Sequence, residues 1–107
     1  MSGQGRQEMT DKIYIFMRRD LKMRRGKEIA QACHAVMGLG ESDCPVITLK
    51  ASSEDDLAKI QHMADTHGLT NYLVRDAGRT ELPPDTPTCI AVLGAPGSGQ
   101  FDEWELY

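Results

Sequence analysis

Cysteine, aromatic residues and long apolar runs are all scarce in this chain of 107 residues. Its three cysteines, Cys33, Cys44 and Cys89, form an odd set with no paired spacing. That argues against a disulfide framework and fits free thiols in a reducing, cytoplasmic setting. No stretch approaches the roughly 18 apolar residues of a membrane-spanning helix, so neither a span nor a membrane partner is expected. Residues Met1 to Thr10 are polar and contain glycine but lack the apolar centre of a secretory leader. Residues 1–11 therefore read as a flexible tail before one domain over 12–107, the count that this length favours. Metal-ligating clusters are missing as well. His62 and His67 stand five apart, on different faces of a helix, so no metal or other cofactor is expected.

Positive charge is in deficit overall, with a net charge of −4, but its distribution is uneven. Residues 1–40 hold eight Lys/Arg against four Asp/Glu, and residues 41–107 hold four against twelve. Arg18, Arg19, Lys22, Arg24, Arg25 and Lys27 crowd into ten positions with Asp20 as the single acid. A local basic patch of this kind suits a phosphate-bearing ligand, and it also fits a solvated loop.

Regular elements alternate along the chain. Ile13-Tyr14-Ile15-Phe16-Met17 reads as a buried strand. A helix is predicted from about Lys27 to Met37, with Ile29, Ala30, Cys33, Val36 and Met37 as its inward stripe and with Gly38 and Gly40 ending it. Pro45 to Leu49 makes a second strand. Ser53 is a helix N-cap with Asp56 completing a capping-box-like pair, and Leu57, Ile60 and Ala64 face inward until Gly68 stops the helix. Asn71 to Val74 and Thr88 to Leu93 supply two more strands. Phe101, Trp104, Leu106 and Tyr107 are expected to form a short turn of helix or to cap a sheet edge. The order implies a single-domain α/β fold, a mixed four-stranded sheet with helices packed on its faces. Its first three strands are parallel to one another and the fourth is antiparallel to the third. Ligand sites in such sheets lie at the carboxyl ends of strands, where Arg18–Gln31 and Arg75–Thr80 begin.

Two segments can carry chemistry. Lys27, Gln31 and His34 share one polar stripe of the first helix, although any amphipathic helix has a polar face. Asp76-Ala77-Gly78-Arg79-Thr80 sets a carboxylate, two small residues, a cation and a hydroxyl at the end of a strand. Small residues admit a close substrate, while an Asx-turn at Asp76 is the purely structural alternative.

Taken in order, Arg19-Asp20-Leu21-Lys22-Met23, Gly26-Lys27, Ala30-Gln31 and His34-Ala35 resemble the first signature of the archaeal/eukaryotic-type peptidyl-tRNA hydrolases. Asp76-Ala77-Gly78-Arg79-Thr80 with Pro84 and Thr88 resembles the second. The similarity covers roughly Lys12 to Pro96. It implies a peptidyl-tRNA hydrolase fold and hydrolysis of the ester in peptidyl-tRNA without a metal, at a catalytic centre containing Lys27, Asp76 and Thr88 with His34 beside them. Gln31, Gly78, Arg79 and Thr80 are then expected near the substrate. Arg18, Lys22, Arg24 and Arg25 are expected to grip the acceptor stem and 3′ end. A homodimer is one assembly open to such a chain. The chain departs from the family pattern in a short connection from Val36 to Pro45, a short segment after Pro96, and Arg24-Arg25 where Gly-Lys is common. An inactive tRNA- or RNA-binding module of the same fold is the alternative that these departures leave.

Overall fold

β-Branched and aromatic residues set the strands, and glycines with one strong cap set the helix ends. A computed structural model describes residues 11–41, 43–79, 82–94, 101 and 104–107. The elements are β1 (Lys12–Arg18), α1 (Arg25–Leu39), β2 (Val46–Ala51), α2 (Glu54–Thr66), β3 (Asn71–Arg75) and β4 (Pro87–Gly94). The sequence-predicted tail falls outside the described residues, except Asp11, as do Gly97-Ser98-Gly99 and Thr80.

The sheet order is β2-β1-β4-β3. β1 and β2 are parallel, and β4 runs antiparallel to both β1 and β3. The three strands that precede the long connection thus share one direction, as expected. The last strand inserts between β1 and β3, pairing with both. That central place accounts for the burial of almost every residue of β4, since helices cover both faces of the sheet.

One helix lies on each face. On one side Ile13, Ile15, Met17, Val74, Cys89 and Ala91 pack with Ala35 and Leu39 of α1. On the other, Phe16, Leu49, Ile90 and Val92 pack with Leu57, Ile60 and Ala64 of α2. The alternation in β1 is what delivers Ile15 to one layer and Phe16 to the other. Phe16 meets the rings of Phe101 at 5.1 Å and Trp104 at 5.4 Å, both edge-on. Such aromatic pairs contribute about 0.5–1.5 kcal/mol each beyond area burial. Leu106 bridges Leu49, with Lys50 N–H donating to Glu105 and Tyr107 N–H to Thr48. The final residues thereby cover the outer edge of β2.

The helix ends follow local chemistry. Ser53 Oγ accepts from Asp56 N–H at 3.2 Å, while the Asp56 carboxylate reaches back to Ser52 N–H. At the other end of α2, Gly68 N–H donates to Asp65 and Leu69 N–H to Ala64, a Schellman closure with Gly68 at φ +70. α1 departs from its sequence reading. It runs through Gly38 to Leu39 and closes at Gly40, φ 82, whose N–H donates to Val36. Its buried residues are Glu28, Gln31, Ala35 and Leu39. Ile29, Ala30, Cys33 and Met37, read as the inward stripe, are exposed, and Val36 is half-buried. The physical reason is that distant partners satisfy Glu28 and Gln31 inside, so the polar face can turn inward.

Candidate active site

β3 ends at Arg75, and the next residue, Asp76, stands at the carboxyl end of the sheet. Its N–H donates to Thr86 and its carbonyl accepts from Asp85 N–H, which closes the 76–86 loop at its base. One carboxylate oxygen, Oδ2, accepts from Gly78 N–H at 2.8 Å. Gly78 takes a left-handed φ of +81, and a Cβ there would stand 2.7 Å from Pro84 backbone atoms. The position therefore requires glycine. The Asx-turn and the site are not alternatives at Asp76, because each uses a different oxygen.

Oδ1 accepts from Lys27 Nζ at 2.6 Å. Lys27 reaches it from the first turn of α1, 49 residues away in sequence. The same oxygen faces Gln31 Nε2 at 3.4 Å, and Gln31 Oε1 accepts from the Thr88 hydroxyl at 3.0 Å. Thr88 is the second residue of β4 and is fully buried, with Val74 carbonyl at 3.4 Å as a second acceptor. Ammonium, carboxylate, amide and alcohol thus form one chain from the surface into the core. Asp76 is 5% exposed. Lys27 holds its carboxyl below the usual carboxylate range, against the opposing effect of burial, and Gly78 N–H pulls the same way. Asp76 is consequently an anion throughout the neutral range.

These groups floor an open cleft of about 440 Å³. α1 supplies Lys27, Ala30, Gln31 and His34 to one wall, and the end of β3 with its loop supplies Arg75, Asp76, Ala77 and Arg79 to the other. His34 is exposed. Cys89 lies behind the site with its thiol toward the Gln31 carbonyl at 3.5 Å. Burial pushes that thiol up to about 12, which keeps it protonated and unreactive.

The basic segment divides. Arg18, expected at the substrate, is turned inward instead. Its guanidinium pairs with Asp20 through Nε at 2.9 Å and Nη2 at 2.7 Å, and Nη1 donates to Pro87 carbonyl. It ties the end of β1 to the start of β4. Lys22, Arg24 and Arg25 are exposed. Lys22 takes the left-handed backbone (φ 54), while Arg24 is extended, so the residue that replaces a common glycine needs no glycine conformation. Arg25 borders a hollow with Glu28, Ile29 and Tyr107 rather than the cleft of Lys27. Cys33, read as part of the inward stripe, is exposed on the outer face of α1.

Sequence reasoning placed Arg75 at the start of the second site segment but gave it no role, and it missed Glu28. Glu28 is buried, accepts a hydrogen bond from the Tyr107 hydroxyl and faces Arg19 Nε at 3.6 Å. Arg19 in turn lies 4.2 Å from the centre of the Tyr107 ring. The spacing of Glu28, Gln31, Ala35 and Leu39 at three and four was the one available signal.

A family model described as "Peptidyl-tRNA hydrolase PTH2" matches residues 11–99. The chain belongs to this family. The matched span contains Lys27, Gln31, Asp76 and Thr88, so the whole hydrogen-bonded network falls inside the PTH2 region. A peptidyl-tRNA hydrolase of Methanopyrus kandleri is 39% identical across 76% of this chain and 82% of its own length. The peptidyl-tRNA hydrolase of Methanothermobacter thermautotrophicus is 39% identical across 76% and 83%. A probable peptidyl-tRNA hydrolase 2 of Dictyostelium discoideum is 36% identical across 79% of this chain but 48% of its own length. Among the described residues, no helix is long and apolar enough to cross a membrane.

Proposed function

We propose that this chain hydrolyses the ester bond between peptide and tRNA in peptidyl-tRNA, and that Lys27 and Asp76 are the groups at which it does so. The observation that carries the reading is the 2.6 Å contact between Lys27 Nζ and Asp76 Oδ1 at the floor of an open cleft. It joins two segments that both resemble the family's signatures. The reaction is attack of water on an ester carbonyl with the ribose 3′ oxygen as leaving group, and that ester is reactive enough to need no covalent nucleophile.

Asp76 holds the attacking water and takes its proton as the new carbon–oxygen bond forms. General-base help of this kind is worth about 10²–10⁴ in rate, but a carboxylate of lowered pKa is a weak base and lies at the lower end. Lys27 is therefore asked for more. Its ammonium, oriented by Asp76, stabilises the negative charge that develops on the carbonyl oxygen. His34, on the same wall, gives a proton to the departing ribose oxygen and recovers the one that Asp76 took from water. Thr88 is buried and meets no substrate. It fixes Gln31, which fixes Asp76, and so acts as a positioning residue. Arg75, Arg79 and the exposed Lys22, Arg24 and Arg25 supply positive charge for phosphates of the acceptor stem and 3′ end. A substrate that arises on ribosomes and three free thiols fit work in the cytoplasm. The alternative of a binding module without turnover finds no support in the family membership or in the intact ion pair.

The test compares N-acetylaminoacyl-tRNA with unblocked aminoacyl-tRNA. Cleavage of the blocked form, lost in Lys27→Ala and Asp76→Ala while circular dichroism reports an intact fold, is expected. Binding of tRNA with no release of the acyl group by the native chain would refute the reading.

A further inference from the structure

Beyond its first turn, where Arg25 is exposed, the solvent face of α1 is apolar apart from His34. Gly26, Ile29, Ala30, Cys33 and Met37 are exposed and none is charged, with Ile29 at 59% and Met37 at 73%. The charged and polar Glu28 and Gln31 point into the protein instead. Surface helices have the opposite arrangement, and a contiguous apolar face in water marks a binding surface.

Three further observations say what it binds. The face is continuous with the catalytic cleft, because Ala30 and His34, one turn and two turns beyond Lys27, line that cleft. At its far end stands Tyr72 of β3, 44% exposed. Its ring lies against the α1 backbone at Gly38, where a Cβ would come within 2.3 Å of Cδ2. A glycine inside a helix costs about 1 kcal/mol relative to alanine, and here it admits an aromatic platform beside exposed Met37. Finally, charge is partitioned about the cleft. Arg75 and Arg79 form the wall opposite α1, whereas the α1 face from Ala30 to Met37 is uncharged apart from the imidazole at its edge.

We propose that this face is the seat of the peptide moiety of the substrate. The residue esterified to tRNA lies beside Ala30 and His34, and the preceding residues run along Cys33, Met37 and Tyr72. The inference rests on the reading of the cleft as an ester-hydrolysing site. A substrate that is a polyanion on one side of its ester and an uncharged chain on the other matches a cleft with Arg75 and Arg79 on one wall and, leading away from the other wall beyond Lys27, an uncharged helix face. From Lys27 to Met37 the helix rises about 15 Å, which an extended chain spans in about four or five residues. The surface thus favours apolar side chains in the last four or five residues of the peptide and is indifferent to those before them.

The test uses the full chain and three substrates on one tRNA: N-acetylalanyl-tRNA, and the same ester preceded by four leucines or by four glutamates. The tetraleucyl substrate is expected to show kcat/KM about tenfold above N-acetylalanyl-tRNA, mostly through KM, as partial burial of two or three apolar side chains implies. The tetraglutamyl substrate is expected to show no gain. In Met37→Glu the leucyl advantage falls to about one, and Met37→Leu retains it. Equal kcat/KM for all three substrates in the native chain overturns the proposal while leaving the hydrolase reading intact. No cleavage of any substrate overturns that reading first. Sedimentation of both proteins provides the remaining arm: a native dimer that Met37→Glu converts to monomer assigns the face to a second copy and overturns the peptide seat.

Discussion

Replacing Thr88 by valine tests whether the buried end of the network matters to the whole. Thr88 is fully buried, and its hydroxyl donates to Gln31 Oε1 at 3.0 Å, with Val74 carbonyl at 3.4 Å as the weaker alternative. Valine has nearly the same shape, so no cavity forms and the loss is that of a donor. Gln31 is itself buried, and its amide oxygen is left without a partner. The cost of such an orphaned acceptor is about 1–3 kcal/mol. For a domain of this length each kcal/mol lowers the midpoint of thermal unfolding by about 4–8 °C. Removing the orphan as well should recover much of that. Gln31→Leu/Thr88→Val is expected to be more stable than the sum of the two single changes, with a coupling of about 0.5–3 kcal/mol. Calorimetry or urea unfolding of the four proteins completes the cycle. Thr88→Val should also lower kcat more than it changes KM, because Thr88 acts through Gln31 on Asp76 and meets no substrate. A Thr88→Val protein as stable as the native one, or additive single changes, would refute the view that Gln31 Oε1 depends on this hydroxyl.

Lys27→Met should alter a pH dependence. In the native chain the folded pKa of Asp76 is lowered, so its stabilising contribution is present above the unfolded value of about 3.9 and is lost as pH falls through the lower folded value. Without the ammonium, burial opposes only the Gly78 N–H and the long Gln31 contact, the carboxyl rises, and the stability lost in Lys27→Met should shrink on acidification; the difference in urea midpoint between native chain and variant from pH 3 to 7 reads this. Gly78→Ala forces a side chain onto Pro84 at 2.7 Å in a left-handed turn and should cost more than about 1 kcal/mol while impairing kcat through Asp76, as unfolding and turnover assays would show. Gly38→Ala meets the Tyr72 ring, so it should destabilise the native chain yet be tolerated with Tyr72→Ala, which thermal melts of the pair decide. Binding of tRNA should weaken with salt, and neutralising Arg79 should reduce the logarithmic slope by about one, measured by titration at several ionic strengths.

Local chemistry made much of this protein legible before any coordinates. Short apolar runs rich in β-branched and aromatic residues marked β1, β2, β3 and β4. Ser53 and Gly68 bounded α2, since capping and left-handed closure involve only neighbouring residues. Two crossovers of right length fixed the parallel strands. The ordered signatures around Lys27 and Asp76 put forward two side chains that the fold brings within 2.6 Å of each other.

Tertiary structure alone decided how those parts meet. Periodicity identified an apolar stripe on α1 but could not tell inside from outside, because Ala35 and Leu39 form a second apolar line on the other flank. Thr88 and Tyr107, both distant in sequence, together with the nearby Arg19, satisfy Gln31 and Glu28 in the interior and release Ile29, Cys33 and Met37 to solvent. Insertion of β4 between β1 and β3 brings Thr88 beneath α1, and the end of β3 carries Asp76 to Lys27 across 49 residues. Burial of a polar side chain is favourable only where its partner already stands, and that partner is chosen by topology.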